Sequence, residues 1–344
     1  MRHFRYFLLI AASALMGAPA TSAIVNSLRL PSQMGTMPGA VPLSVMTYNV
    51  KGLPWPVASG RPAAITEIGS RLRARRGAGV QPNLVMLQEG FSEEARKLGT
   101  FADYRYVAFG PDTAPEMARP PLGMAFAAHE QRLKGEGVGS LLNSGLVILS
   151  DYPIIRTARY AFPAGACAGF DCLAAKGALV AWVDVPGAGR PVAVVDVPRN
   201  ARKATMGSGG RADTAYFWQV AAVRRFLGHV VSADTPVIFA GDLNIGIYGD
   251  RTAAFSAPII GSGQREVLPE VLAEGKVPLP SLREALGVVE RNKDKIFARN
   301  AGGIALTPQR AWVPFGVANT ASPLSDHAGF VVDFTLSKAR QRDG

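Results

Sequence analysis

LSVMTYNV (residues 43–50) alternates like a β-strand, ITEIGSRLRARR (65–76) carries apolar residues at helical spacing, and PNLVMLQEG (82–90) is a proline-started apolar strand that ends in charge. The order is β, α, β. Working outward, SGLVILSDYPI (144–154), GALVAWVDV (177–185) and RPVAVVDV (190–197) read as consecutive strands joined by turns. TAYFWQVAAVRRFLGHV (214–230) reads as a helix and TPVIFAGDLN (235–244) as a buried strand. An irregular stretch with a short helix at SLREALGVV (281–289) leads to KDKIFAR (293–299) and a closing strand from Ala328. Hairpins mixed with helix-connected strands predict one α+β domain over residues 43–338, with two sheets packed face to face and helices outside.

The ends of the chain read differently. MRHFRYFLLIAASALMGAPATSA (1–23) places Arg2 and Arg5 before an apolar run, then small-residue cleavage patterns ending at Ala20 and Ala23. This is the pattern of a secretory signal peptide, with an uncleaved anchor as the alternative. Residues 24–42 form a lead-in without periodicity, and residues 339–344 a tail. No later stretch is long enough to cross a bilayer, so the mature chain is expected to be exported, periplasmic or secreted, and monomeric. Cys167 and Cys172 are close enough to close a small disulfide loop in an oxidising compartment, or they remain two free thiols. The formal charge of +11 suits polyanions such as nucleic acid or anionic lipid headgroups, although a generally basic surface gives the same number. With 48% hydrophobic and 18% charged residues, the composition excludes disorder as the default.

Four strands begin or end with groups that a core avoids. They are Asn49 after VMTY, Glu89 after VMLQ, Asp242 and Asn244 after VIFAG, and Asp326 with His327 before AGFVVDF. Each alone is an ordinary turn former or leading acid. Together they predict a shared pocket at one sheet edge, where loops carry function. Glu89, Asp326 and the Asn49 amide oxygen are hard ligands for Mg²⁺, Mn²⁺ or Ca²⁺. Asp242 and Asn244, two residues apart, face the same way from an extended segment, one to polarise water and one to donate to a phosphoryl oxygen. His327 serves as acid, base or phosphate-binding cation if an acid orients it. These residue types suit metal-assisted hydrolysis of a phosphate ester.

The blocks TYNVKGLP, PNLVMLQEGF, NSGLVILSDYPI, VIFAGDLNIG, DKIFAR and SDHAGFVVDF, in this order, resemble the endonuclease/exonuclease/phosphatase superfamily of DNase I-like proteins. Abasic-site endonucleases and neutral sphingomyelinases are among its members. The resemblance spans residues 43–338 and implies a four-layered α/β sandwich, two packed mixed β-sheets flanked by helices, with metal-dependent phosphodiester or phosphomonoester hydrolysis. It implies Asn49, Glu89 and Asp326 at the metal, Asp242 and Asn244 on the attacking water and the phosphate, and Asp294 as the acid that orients His327. Mg²⁺ is the expected cofactor, and a phosphodiester of nucleic acid or of a phospholipid headgroup the expected substrate.

One departure stands out. Many members carry Asn-Thr-His-Leu at the end of the middle strand, where this chain has Asp196, Val197, Pro198 and Arg199. Arg199, Asn200 and Arg202 are therefore expected to bind phosphate or the leaving oxyanion without transferring a proton, or else to belong to a solvated, flexible loop ahead of the glycine-rich GSGGRAD. The missing histidine also prompts the competing expectation of a polyanion- or phosphate-binding protein of this shape with weak or no catalysis. Lys176, ahead of GALVAWV, reads equally as an ion-pair partner or a substrate contact. Trp55 and Leu53, in the stretch YNVKGLPWP, read equally as lipid contacts or as packing beneath their loop.

Overall fold

A computed structural model describes residues 40–207, 209–255, 257–318 and 322–339. The expected signal peptide and most of the lead-in lie outside these residues. Twelve strands form two six-stranded sheets. The first holds β1 (Val41–Asn49), β2 (Leu84–Gln88), β3 (Tyr106–Phe109), β4 (Val147–Ser150), β11 (Ile304–Phe315) and β12 (Gly329–Lys338), in the order β11-β12-β1-β2-β4-β3. The second holds β5 (Ile154–Ala161), β6 (Gly177–Val183), β7 (Val192–Asp196), β8 (Val237–Asp242), β9 (Arg265–Glu266) and β10 (Asp294–Arg299), in the order β5-β6-β7-β8-β10-β9.

Both sheets are mixed for the same reason. β1 pairs parallel with β2 across the helix Arg61–Gly77, and β7 parallel with β8 across the helix Gly209–Val230, while the other pairs are antiparallel. Strand alternation then sorts the side chains. Val45, Met86, Ile148, Val194, Ile238, Ile296 and Phe330 meet between the sheets. Their neighbours Met46, Val85 and Leu87 pack under Ile65, Ile68 and Leu72 of the first helix. Val195, Phe239 and Phe297 pack with Tyr216, Val220 and Val223 of the second. Both faces of the central strands are dry, so these strands read as continuous apolar runs. The four-layered sandwich expected from the sequence is what forms.

One boundary differs from the expectation, and β3, β5, β9 and β11 are strands it did not include. β1 starts at Val41, paired with Leu336, so the domain takes up Val41 and Pro42 from the end of the lead-in. The twelve-residue strand β11 has no counterpart in the sequence reading, because Pro308 and Pro314 interrupt its alternation. It is an edge strand, with register shifts between Pro308 and Arg310 and between Trp312 and Phe315, which is where a sheet tolerates proline. Among the described residues, no helix is long and apolar enough to cross a membrane.

Candidate active site

The topology gathers five strand termini at one edge. β1, β2 and β8 end there, at Asn49, Gln88 and Asp242, and β10 and β12 begin there because they run antiparallel to β8 and β1. Asp294 is the register partner of Asp242, which sets two carboxylates side by side. On the other side of β8, Gly241, at φ 143, lets the segment after β7 pack close, since a Cβ there would lie 2.1 Å from the Val197 carbonyl. His327, two residues ahead of β12, reaches across from the other sheet.

His327 Nδ1 donates to both oxygens of Asp294, at 2.9 and 2.8 Å, and its Nε2 lies 3.8 Å from Asp242 Oδ2. Asn49 Nδ2 donates to the same Asp242 oxygen at 3.0 Å, and the Asn244 amide to Asp242 Oδ1 at 3.2 Å. Burial works against a charged imidazole, but Asp294 and then Asp242 outweigh it and push His327 up from 6.5 to about 9. Burial likewise pushes the Asp294 carboxyl up, against the pull of His327. The pair carries its proton on the imidazole, which leaves Nε2 as a cationic donor at neutral pH.

This has a consequence for stability. A histidine whose value rises on folding stabilises the fold fully below its unfolded value of 6.5, and that contribution is lost as pH climbs through about 9. Thermal melts between pH 6 and 10 are expected to show this decline in the native chain and to lose most of it in His327→Gln. An unchanged decline in the variant would assign it to other groups.

The residues expected at a metal stand beside this cluster. Glu89 leaves β2 at φ 55, a left-handed conformation uncommon for a glutamate. Burial raises its carboxyl, and Lys176 and Asn49 only partly oppose the rise. Asn49 turns its amide oxygen to the Lys51 backbone N–H at 2.9 Å, so its nitrogen faces the carboxylates. Asp326 is the outermost, its side chain 60% exposed and paired with Lys51 Nζ at 3.2 Å. Burial opposes its charge, but His327 and Lys51 hold its carboxyl below the ordinary range. Asp242, Asp294 and His327 also bring one ligand atom each within 4.8 Å of one another. Asp294 and His327 are also bonded to each other through Nδ1, which leaves His327 Nε2 and Asp242 as the groups of this cluster that face the open edge. The Glu89 and Asp326 carboxylates are hard oxygen donors of the type Mg²⁺ takes, whereas the Asn49 oxygen is already turned to the Lys51 N–H.

The basic segment lies elsewhere than expected. Arg199 is fully buried, because Val195, Val197 and Arg199 share a strand face and that face lies under the helix Gly209–Val230. Asn200 is also buried, accepting from the Ala168 amide while its own N–H donates to Gln219 Oε1. Arg202 pairs with Asp213 and stacks on Tyr248. Arg199 and Asn200 are thus part of the framework and do not line the open edge. The cation next to the carboxylates is Lys176, buried and bonded to Asp171 Oδ1 at 2.7 Å. Burial disfavours its charge, yet Asp171 and Glu89 outweigh that and raise it.

Two further residues organise the edge. Ser325 Oγ donates to the Asn49 carbonyl at 2.7 Å, and Arg61 donates to the carbonyls of Val50, Lys51 and Leu324. Nothing in their sequence surroundings marks them, since each bridges segments distant in the chain. Cys167 and Cys172 form a disulfide beside this end, with Cα atoms 5.2 Å apart.

No family model matches the chain, and no curated protein does. Among solved structures it is similar to an endonuclease/exonuclease/phosphatase from Beutenbergia cavernae, at 20% identity and a TM-score of 0.55, over 86% of this chain and 72% of that one. The fold is DNase I-like. A second DNase I-like neighbour is sphingomyelinase C from Streptomyces griseocarneus, 20% identical with a TM-score of 0.52, over 85% of this chain and 99% of that one. A third is a double mutant of beta toxin from Staphylococcus aureus with bound magnesium ions, 16% identical with a TM-score of 0.55, over 87% of this chain and all of the other.

Proposed function

We propose that this protein is an exported, divalent-metal-dependent hydrolase of phosphodiester bonds. The observation that carries the reading is the buried Asp294–His327–Asp242 cluster, joined through Asn49 to the Glu89 side of one open edge. In this reading Asp242 orients the attacking water and takes its proton, with both of its oxygens already fixed by hydrogen bonds. His327 Nε2–H donates to a phosphoryl oxygen and stays charged because Asp294 holds the other nitrogen. Asn244 spends one amide hydrogen on the Arg199 carbonyl at 3.2 Å and offers the second to the phosphoryl group. Lys176 supplies the fixed positive charge expected of the Arg199 segment. A cation such as Mg²⁺, held by the carboxylates of Glu89 and Asp326, would neutralise charge on the phosphoryl oxygens, and Asn49 would hold the neighbouring Asp242 in place. The magnesium ions of the beta toxin neighbour support that choice.

The rim favours a phospholipid over nucleic acid. Trp55 is 82% exposed between Pro54 and Pro56 in the loop after β1, and Ile247 is 88% exposed in the loop after β8. Both loops leave from the site edge, and large exposed apolar groups there suit a substrate in an apolar interface. The sphingomyelinase neighbour supports the same reading.

Turnover of bis(p-nitrophenyl) phosphate, sphingomyelin vesicles and plasmid DNA, with Mg²⁺, Mn²⁺ or EDTA, tests it. Metal-dependent turnover abolished by EDTA is expected, with vesicles preferred to DNA. DNA cleavage without vesicle turnover would reverse the substrate assignment, and phosphoester binding without turnover would overturn the hydrolase.

A further inference from the structure

Three side-chain pairs bridge the two sheets in a row. His327–Asp294 joins the mouth of β12 to β10, Asn49–Asp242 joins β1 to β8, and Gln88–Asp196 joins β2 to β7. β12, β1 and β2 are consecutive in one sheet, and β10, β8 and β7 in the other, so the row advances one strand per pair. The proposed chemistry uses the first two pairs and leaves the third unassigned. Both members of the third pair are fully buried.

Asp196 is an odd residue for this place. Its Oδ1 accepts from Gln88 Nε2 at 2.7 Å, and its Oδ2 has no partner. An ionised carboxylate there would meet a large desolvation cost, and burial holds its carboxyl well above the ordinary value against the pull of Gln88. Gln88 Nε2 also approaches Thr47 Oγ1 and the Met86 carbonyl, each at 3.2 Å, and Asp196 is the nearest of the three. The next residue is Glu89, where the chain turns left-handed and the carboxylate enters the site. Asp196 is in turn the register partner of Ala240, two residues before Asp242.

We infer that Asp196, through its hydrogen bond to Gln88, is a positioning residue that sets the place of Glu89 relative to Asp242. The inference rests on the phosphodiesterase reading for its effect on rate, but not for its effect on Glu89. It makes the Gln88–Asp196 bond a strut one residue beneath the reacting edge, holding the two halves of the site at fixed separation. An asparagine at 196 offers Gln88 the same acceptor, whereas an aliphatic side chain does not.

The test compares Asp196→Asn and Asp196→Val with the native full chain in two measurements. The first is kcat and KM for bis(p-nitrophenyl) phosphate with Mg²⁺. The second is the backbone amide NMR shift of Glu89 without metal or substrate. Asp196→Val is expected to lower kcat by about 10- to 100-fold with KM little changed, the scale of a small misplacement of a reacting group. It is also expected to move the Glu89 amide, and Asp196→Asn to restore both. If Asp196→Val does not fold, Gln88→Met removes the same bond from the other side. A folded Asp196→Val or Gln88→Met with native kcat and an unmoved Glu89 amide would overturn the inference. If the native chain turns nothing over while the Glu89 amide moves in Asp196→Val and returns in Asp196→Asn, positioning stands and the phosphodiesterase reading fails.

Discussion

Asp242→Ala is expected to reduce turnover by at least about 10²-fold, with the fold retained, because it removes a side chain that Asn49 and His327 both face from the other sheet. Its Oδ2 receives Asn49 from one sheet and faces His327 Nε2, while Oδ1 fixes the backbone turn at Asn244. Truncation therefore deletes the acceptor for the attacking water and one of the two carboxylates that keep His327 charged. The loss of the second carboxylate is a distinct signature. His327 should titrate lower in Asp242→Ala than in the native chain, measured by NMR of the imidazole. Asp242→Asn keeps the shape and an acceptor oxygen but not the base, so its rate should fall nearly as far. Native-like rates in either variant would exclude Asp242 as the residue that handles water.

Arg251→Leu is expected to cost about 3–5 kcal/mol of stability, the range for breaking a buried charged pair from one side. Arg251 is fully buried, with its guanidinium 4.0 Å from the Tyr216 ring centroid. Its Nε donates to Asp213 at 2.8 Å, and its Nη1 to the carbonyls of Asn200 and Asn244 at 2.9 and 2.7 Å. Leucine fills part of the volume but leaves those two carbonyls without their donor. Asn244 sits at φ 49 two residues after Asp242, so on the proposed reading loss of this anchor should also lower kcat. Arg251→Lys should rescue little, since a single ammonium cannot serve the planar fork of acceptors. Urea unfolding at pH 7 checks the stability, and turnover of the folded fraction checks the rate. A loss below about 1 kcal/mol would show that water replaces the guanidinium without strain.

Much of the site was legible because strand ends are informative. One polar residue closing an apolar run is ordinary, but several such strand ends together pointed to a shared pocket, and Asn49, Glu89, Asp242, Asp294 and His327 all converge on one edge. Asp326 reaches that edge too, though it meets Lys51 and remains largely exposed. The placement of Arg199 was also available in principle. Its parity with Val195 and Val197 puts it on a buried face, but a run of basic residues after a proline reads as a loop. β11 was missed because its prolines argue for a break, and only its position at the sheet edge makes them harmless.

Local sequence by itself determined the central strands, the two long helices and which face of each is dry, since these follow from periodicities of two and 3.6 residues along the chain, while the short and edge strands β3, β5, β9 and β11 were set by pairing. The resemblance implied Asp294 for His327, but the other partners across the two sheets came from the tertiary structure. The bonds Asn49–Asp242, Gln88–Asp196 and His327–Asp294 join residues 193, 108 and 33 positions apart. No local pattern encodes such a partner. The same holds for Lys176, Ser325 and Arg61, whose roles exist only after the strands have paired and brought remote backbone and charge within reach. A buried polar group announces in sequence that it needs a partner, but packing chooses which one it gets.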